Sequence, residues 1–181
     1  MRIPTATFAA LLLAACAPDY NWREIRPADD GFSVMLPGKP ASMTRSINLE
    51  GPQVSMVMHG ARVGEASFTV AVATLPDAEP ATRARAMAAM RAGMLRNIAG
   101  TEREALAVQV PVVDASGKQV GSEPAVRVEA EGVAQGRPVK LSAGFTAHGA
   151  RAWQWVLLAP EVDREQASTF LESFRLVAKQ P

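Results

Sequence analysis

Between Val139 and Ala147 apolar and polar side chains alternate, with Val139, Leu141 and Phe145 on one face and Lys140, Ser142 and Thr146 on the other. A period of two fits a strand with one face against a core and does not fit a helix. The same reading places strands at Phe32–Leu36, closed by Pro37-Gly38, and at Val54–His59 and Phe68–Leu75 around a Gly60–Gly64 turn. Two more fall at Leu106–Val113 and Ala125–Glu131, on either side of a turn at Asp114-Ala115-Ser116-Gly117. After a His148-Gly149 turn, Ala152–Leu158 is apolar on both faces, as a central strand would be. Strands joined by turns this short pair antiparallel.

Two segments carry helical periodicity instead. Met87, Met90, Met94 and Ile98 share a face, Pro80 suits a first turn and Gly100 a stop, which predicts a helix from about Pro80 to Ala99. Phe170, Leu171 and Phe174 form the stripe of a second, from about Asp163 to Phe174, with Asp163 and Gln166 spaced like a capping box. The expected class is α+β: an antiparallel β-sheet with two helices packed on it. The chain has 181 residues, the size of one domain, and shows no internal repeat, low-complexity tract or linker.

With 48% apolar residues the chain can bury a core. Its 19 Lys and Arg balance 18 Asp and Glu, which argues against the concentrated basic footprint of a nucleic-acid binder. A polybasic run for anionic lipid headgroups is missing too. The single cysteine, Cys16, rules out an internal disulfide.

The N-terminus carries the most specific motif. Arg2 precedes an apolar stretch from Thr5 to Ala15 that includes Phe8, Leu11, Leu12 and Leu13, the pattern of a secretory leader. Such a stretch is shorter than the roughly 20 residues a membrane-spanning helix needs. It ends in Leu13-Ala14-Ala15-Cys16, which resembles the lipobox of bacterial lipoproteins. The resemblance implies diacylglycerol on the Cys16 sulfur, cleavage after Ala15 and, often, a further acyl chain on the new amino group. Ala17 follows the cysteine where an inner-membrane retention signal would have Asp, so the resemblance implies the periplasmic face of the outer membrane. The expected organisation is a signal peptide over 1–15, a lipidated cysteine and short tether over 16–21, and one domain over 22–181. Between Cys16 and Trp22 lie only Ala17, Pro18, Asp19, Tyr20 and Asn21, which reach about 15–20 Å when extended.

Trp22-Arg23-Glu24-Ile25 followed by Gly31-Phe32-Ser33-Val34-Met35-Leu36-Pro37-Gly38-Lys39-Pro40 resembles the opening of small PsbP/Mog1-like proteins. The order of strands, helix, meander, helix and a closing Phe174-Arg175-Leu176-Val177 strand is similar as well. That resemblance implies an α/β/α sandwich around an antiparallel sheet, with no shared catalytic residues.

Candidate sites are few. Met56, Met58 and His59 are soft ligand types suited to Cu(I), but a strand turns the two methionines to one face and the histidine to the other. With His59 and His148 the only histidines and no paired ligand spacing, no metal and no cofactor is expected. Nucleophile-elbow, P-loop and dinucleotide motifs are absent from the sequence. Trp153 and Trp155 share a strand face and Trp22 falls near them in the expected fold, which makes these three candidates for a ligand or partner surface. Arg91 joins them: it projects within the apolar arc of the first helix, where it either pairs with a carboxylate or meets an anionic ligand. The leading expectation is a non-enzymatic, lipid-anchored envelope protein that docks a partner protein near the membrane. A carrier of a small or lipophilic molecule with a cleft beside the tryptophans is the alternative. A hydrolase would need a concave site gathering His59 or His148 with carboxylates.

Overall fold

The computed structural model describes residues 20–49, 51 and 53–178. In chain order the elements are β1 (Arg23–Ile25), β2 (Phe32–Leu36), β3 (Ala41–Asn48), β4 (Gln53–Val63), β5 (Ala66–Thr74), α1 (Pro80–Asn97), β6 (Thr101–Val113), β7 (Gln119–Ala134), β8 (Arg137–His148), β9 (Arg151–Ala159), α2 (Arg164–Leu171) and β10 (Arg175–Val177). All ten strands belong to one sheet in the order β1-β2-β10-β6-β7-β8-β9-β5-β4-β3. Every pairing is antiparallel except β10 with β6, two strands far apart in the chain with no tight turn between them.

The α/β/α sandwich expected from the sequence, and with it the layered fold that the PsbP/Mog1-like resemblance implied, is not what the chain builds. Strand accounts for 57% of the described residues, and the sheet curls into a half-barrel with two short helices against it. Dimensions explain the difference. Ten strands at about 4.8 Å spacing make a sheet some 45 Å wide. An eight-residue helix is only about 12 Å long and an eighteen-residue one about 27 Å, so neither can form a covering layer. The sheet buries its apolar faces by curling instead, which brings β2, near one edge, over β4, near the other.

Each face of the sheet has its own core. On the α2 face Phe32, Phe68, Trp153 and Trp155 pack with Phe170 and Phe174. On the α1 face Ala71, Ala73, Leu141 and Phe145 pack with Ala86, Met90 and Ile98. β5, β8 and β9 contribute to both sides. The alternation in β8 therefore separates two buried faces. Ser142 and Thr146 lie beneath the α2-face core, with their hydroxyls donating to Glu129 at 2.5 Å and to the Pro124 carbonyl at 2.8 Å.

The helix termini follow their local chemistry. Pro80 opens α1, and Asp163 caps α2 by accepting a hydrogen bond from Gln166 N at 3.0 Å. Residues Glu172 to Phe174, expected within the second helix, instead end it and turn into β10. The C-terminal end of α1 docks on β7 where Val133 N donates to the Ile98 carbonyl at 2.6 Å. Gly132 permits that approach, since a Cβ there would collide with the same carbonyl.

Candidate functional site

Leu13, Ala14, Ala15 and Cys16 lie outside the described residues, as does the first part of the tether. The chain is already fixed to the body at Tyr20. Its ring stacks on Trp22 with centroids 5.7 Å apart and meets Phe68 edge-on at 6.2 Å. Asn21 N donates to the Pro37 carbonyl at 3.0 Å, and Trp22 Nε1 donates to Gln166 Oε1 at 3.1 Å. The first described residues are thereby pinned to the pole of the sheet formed by the ends of β2 and β9 and the start of α2.

The four surface candidates do not assemble into one site. Trp153 is 3% exposed and Trp155 1%, so both are core residues. Their indole N–H groups are satisfied internally: Trp153 donates to the Asp30 carbonyl at 2.9 Å and Trp155 to the Leu171 carbonyl at 3.2 Å. Trp155 is held between Phe174, stacked at 4.2 Å, and the backbone of Gly144, where any Cβ would collide with the indole. Trp22 is half-buried on the same α2 face. Arg91 belongs to the other helix and pairs with Glu102 of β6 through two contacts, one of them Nε to Oε2 at 2.8 Å. Of the two readings of Arg91, the carboxylate pair is the one the geometry contains.

A cleft does exist beside Trp155, lined by Val108, Val110, Arg127, Leu171, Phe174 and Arg175, with a volume of about 220 Å³. That is below the range of roughly 300–1,000 Å³ usual for small-molecule sites.

Neither histidine stands alone. His148 Nδ1 is 2.7 Å from Glu123 Oε1 on the exposed surface. His59 is more deeply placed, with a side chain 12% exposed, and joins three segments. Its Nε2 lies 2.5 Å from Asp30 Oδ2, in the loop before β2, and its Nδ1 lies 2.7 Å from Ser42 Oγ on β3. A carboxylate only accepts, so Nε2–H donates to Asp30, while the Ser42 hydroxyl adapts to Nδ1. Met56 and Met58 pack on the α1 face, opposite to His59, so the three converge on nothing. Among the described residues no three His, Cys, Asp or Glu side chains gather as metal ligands.

Sequence reasoning missed both Asp30–His59–Ser42 and the strand β3 that carries Ser42. The signal for β3 was the ten-residue interval between Pro40 and Gly51, in which Ser42, Thr44 and Ser46 alternate with Met43, Arg45 and Ile47.

The two edges of the sheet differ. β1 is three residues long, carries Arg23 and Glu24, and is followed by Arg26-Pro27, all features that discourage further pairing. β3 pairs with β4 over eight consecutive positions without a bulge, and seven of its eight residues are exposed. It contains no proline and a single charge, Arg45.

No family model matches the chain, and no curated protein does. Among solved structures, PA94 of Pseudomonas aeruginosa, a protein of unknown function, is similar at 13% identity with a TM-score of 0.42, over 88% of this chain and 98% of that one. A likeness of that degree assigns no function. Among the described residues no helix is long and apolar enough to cross a membrane.

Proposed function

We propose that this chain is a lipoprotein of the bacterial envelope, anchored through Cys16, whose domain is a non-enzymatic accessory module that docks a partner protein close to the membrane. The observation that carries the proposal is the Leu13-Ala14-Ala15-Cys16 motif set so near the fixed residue Tyr20. Only Ala17, Pro18 and Asp19 separate Cys16 from Tyr20, a reach of at most about 14 Å. Two or three acyl chains make such an anchor permanent, whereas one myristoyl chain alone binds marginally. The anchor therefore sets one pole of the sheet toward the bilayer and leaves the loops at 27–31, 114–118 and 148–150 facing away. Ala17 after the cysteine favours the outer membrane.

Cross-linking in intact envelopes tests this reading. The lipidated protein captures one defined partner reproducibly, and the Cys16→Ser form captures much less of it. Equal capture by both forms, or none by either, contradicts it.

A carrier function has less support, because two of the three candidate tryptophans, Trp153 and Trp155, are core residues and the cleft beside Trp155 is small. The hydrolase reading gains a histidine with a carboxylate and a hydroxyl in Asp30–His59–Ser42. Ser42, however, sits on an open strand edge, and the clefts beside Trp155 and around Arg26 are lined by other residues.

A further inference from the structure

Among the described residues, the outer edge of β3 is a strand edge open to pairing. A strand at the edge of a sheet presents unpaired N–H and C=O groups, and natural proteins blunt such edges with short strands, prolines, bulges, lysines or a covering element. β1 shows these devices and β3 does not, although both bound the same sheet. Met43, 47% exposed on β3, adds an apolar side chain that the monomer leaves in water.

We propose that β3 pairs with β3 of a second copy of this chain, joining the two sheets edge to edge about a two-fold axis through Thr44. The sequence of the strand selects this register. Directly opposed residues of an antiparallel pair point to the same face, so a two-fold axis normal to the sheet must pass through a residue position. Only Thr44 and Arg45 lie close enough to the middle of Ala41–Asn48 to use nearly its whole length. An axis at Arg45 sets two guanidinium groups opposite each other, which is destabilising.

An axis at Thr44 opposes Thr44 with Thr44, Ser42 with Ser46, Met43 with Arg45 and Ala41 with Ile47. Hydroxyl side chains then meet on the His59 face, where opposed threonines and serines form favourable pairs. On the α1 face the aliphatic stem of each Arg45 covers the exposed Met43 of the other copy. No like charges oppose each other in this register. The pairing is isologous, the commonest symmetry among oligomers. Ser42 also bonds His59, so the interface is braced from within each subunit by the Asp30–His59–Ser42 chain.

The test uses the full chain carrying Cys16→Ser, so that an introduced cysteine is the only thiol. By sedimentation this protein has twice the monomer mass, and Thr44→Lys, which opposes two ammonium groups on the axis, returns it to the monomer mass with an unchanged far-ultraviolet circular dichroism spectrum and a melting temperature lowered only by the lost association. Under mild oxidation Thr44→Cys yields a covalent dimer, while Arg45→Cys, whose partner is displaced along the strand, yields little. A parent protein that sediments as a monomer overturns the proposal and leaves the edge to a foreign strand. A dimer that survives Thr44→Lys, or equal cross-linking through Thr44→Cys and Arg45→Cys, overturns the pairing and its register. None of these outcomes depends on lipidation.

Discussion

His59 Nε2 and Asp30 Oδ2 are 2.5 Å apart, and that contact ties a loop near one edge of the sheet to a strand near the other. In the order of the sheet, β2 and β4 are separated by six strands, so the bond exists only because the sheet curls. Phe32, whose ring centroid is 5.7 Å from that of His59, packs beside it. With side chains only 12% and 15% exposed, the pair is screened little by solvent. Replacing His59 by Ala leaves Asp30 without its partner, a loss of about 1–3 kcal/mol. Urea denaturation checks the magnitude. Hydrogen exchange checks the place: protection falls first at residues 28–32 and in β3.

Gly144 has one job that no other residue can take over. The Trp155 indole rests on its backbone and stacks on Phe174 behind. Gly144→Ala forces the indole off the sheet, and overpacking of this kind typically costs about 1–3 kcal/mol. The expected outcome is a lower melting temperature together with a red-shifted tryptophan emission as water reaches the ring. A substitution at the open turn glycine Gly38, where a Cβ meets nothing, changes neither the emission nor the core.

Arg91 and Glu102 form a two-contact ion pair between α1 and β6, with side chains 34% and 27% exposed. Partly solvated pairs contribute modestly, so a double-mutant cycle through Arg91→Ala and Glu102→Ala returns a coupling of about 0.5–1 kcal/mol that shrinks in high salt. A coupling of several kcal/mol, or one insensitive to salt, disagrees with this geometry.

The turn between β6 and β7 is organised by Asp114, whose Oδ1 accepts from Ser116 Oγ at 2.6 Å, Ser116 N at 2.8 Å and Lys118 N at 3.0 Å. The Ser116 hydroxyl is the largest influence holding this carboxyl below its ordinary range, and the backbone amides add to it. A depressed carboxyl contributes stability above its unfolded value near 4 and loses it as pH falls through the lower folded value. The turn therefore loosens only in acid below about pH 4. The Asp114 side-chain carbon titration, followed by NMR, has its midpoint below the ordinary value, and Ser116→Ala moves it upward.

How much of this was legible in the sequence depended on how local each determinant is. The period of two in Val139–Ala147, the proline and glycine around the first helix and the Asp163 cap are encoded within a few residues, and those elements lie close to where they were expected. β3 was only faintly legible, because Ser42-Met43-Thr44-Arg45-Ser46 alternates but is polar on one face and mixed on the other, as an exposed edge allows. The sandwich expectation failed on a non-local property, the width of a ten-stranded sheet against the length of two helices. For the same reason Ser142 and Thr146 read as no more than the polar face of a strand, although the core on the Trp155 side of the sheet covers them. The pairing of His59 with Asp30 joins residues 29 positions apart through curvature that no local pattern announces.

Intact mass spectrometry of the protein from native envelopes examines the proposed anchoring through Cys16 directly. The expected species is a mature chain that begins at Cys16 and carries a diacylglyceryl group, with or without a further acyl chain. A chain that begins elsewhere, or one that begins at Cys16 with an unmodified thiol, contradicts it.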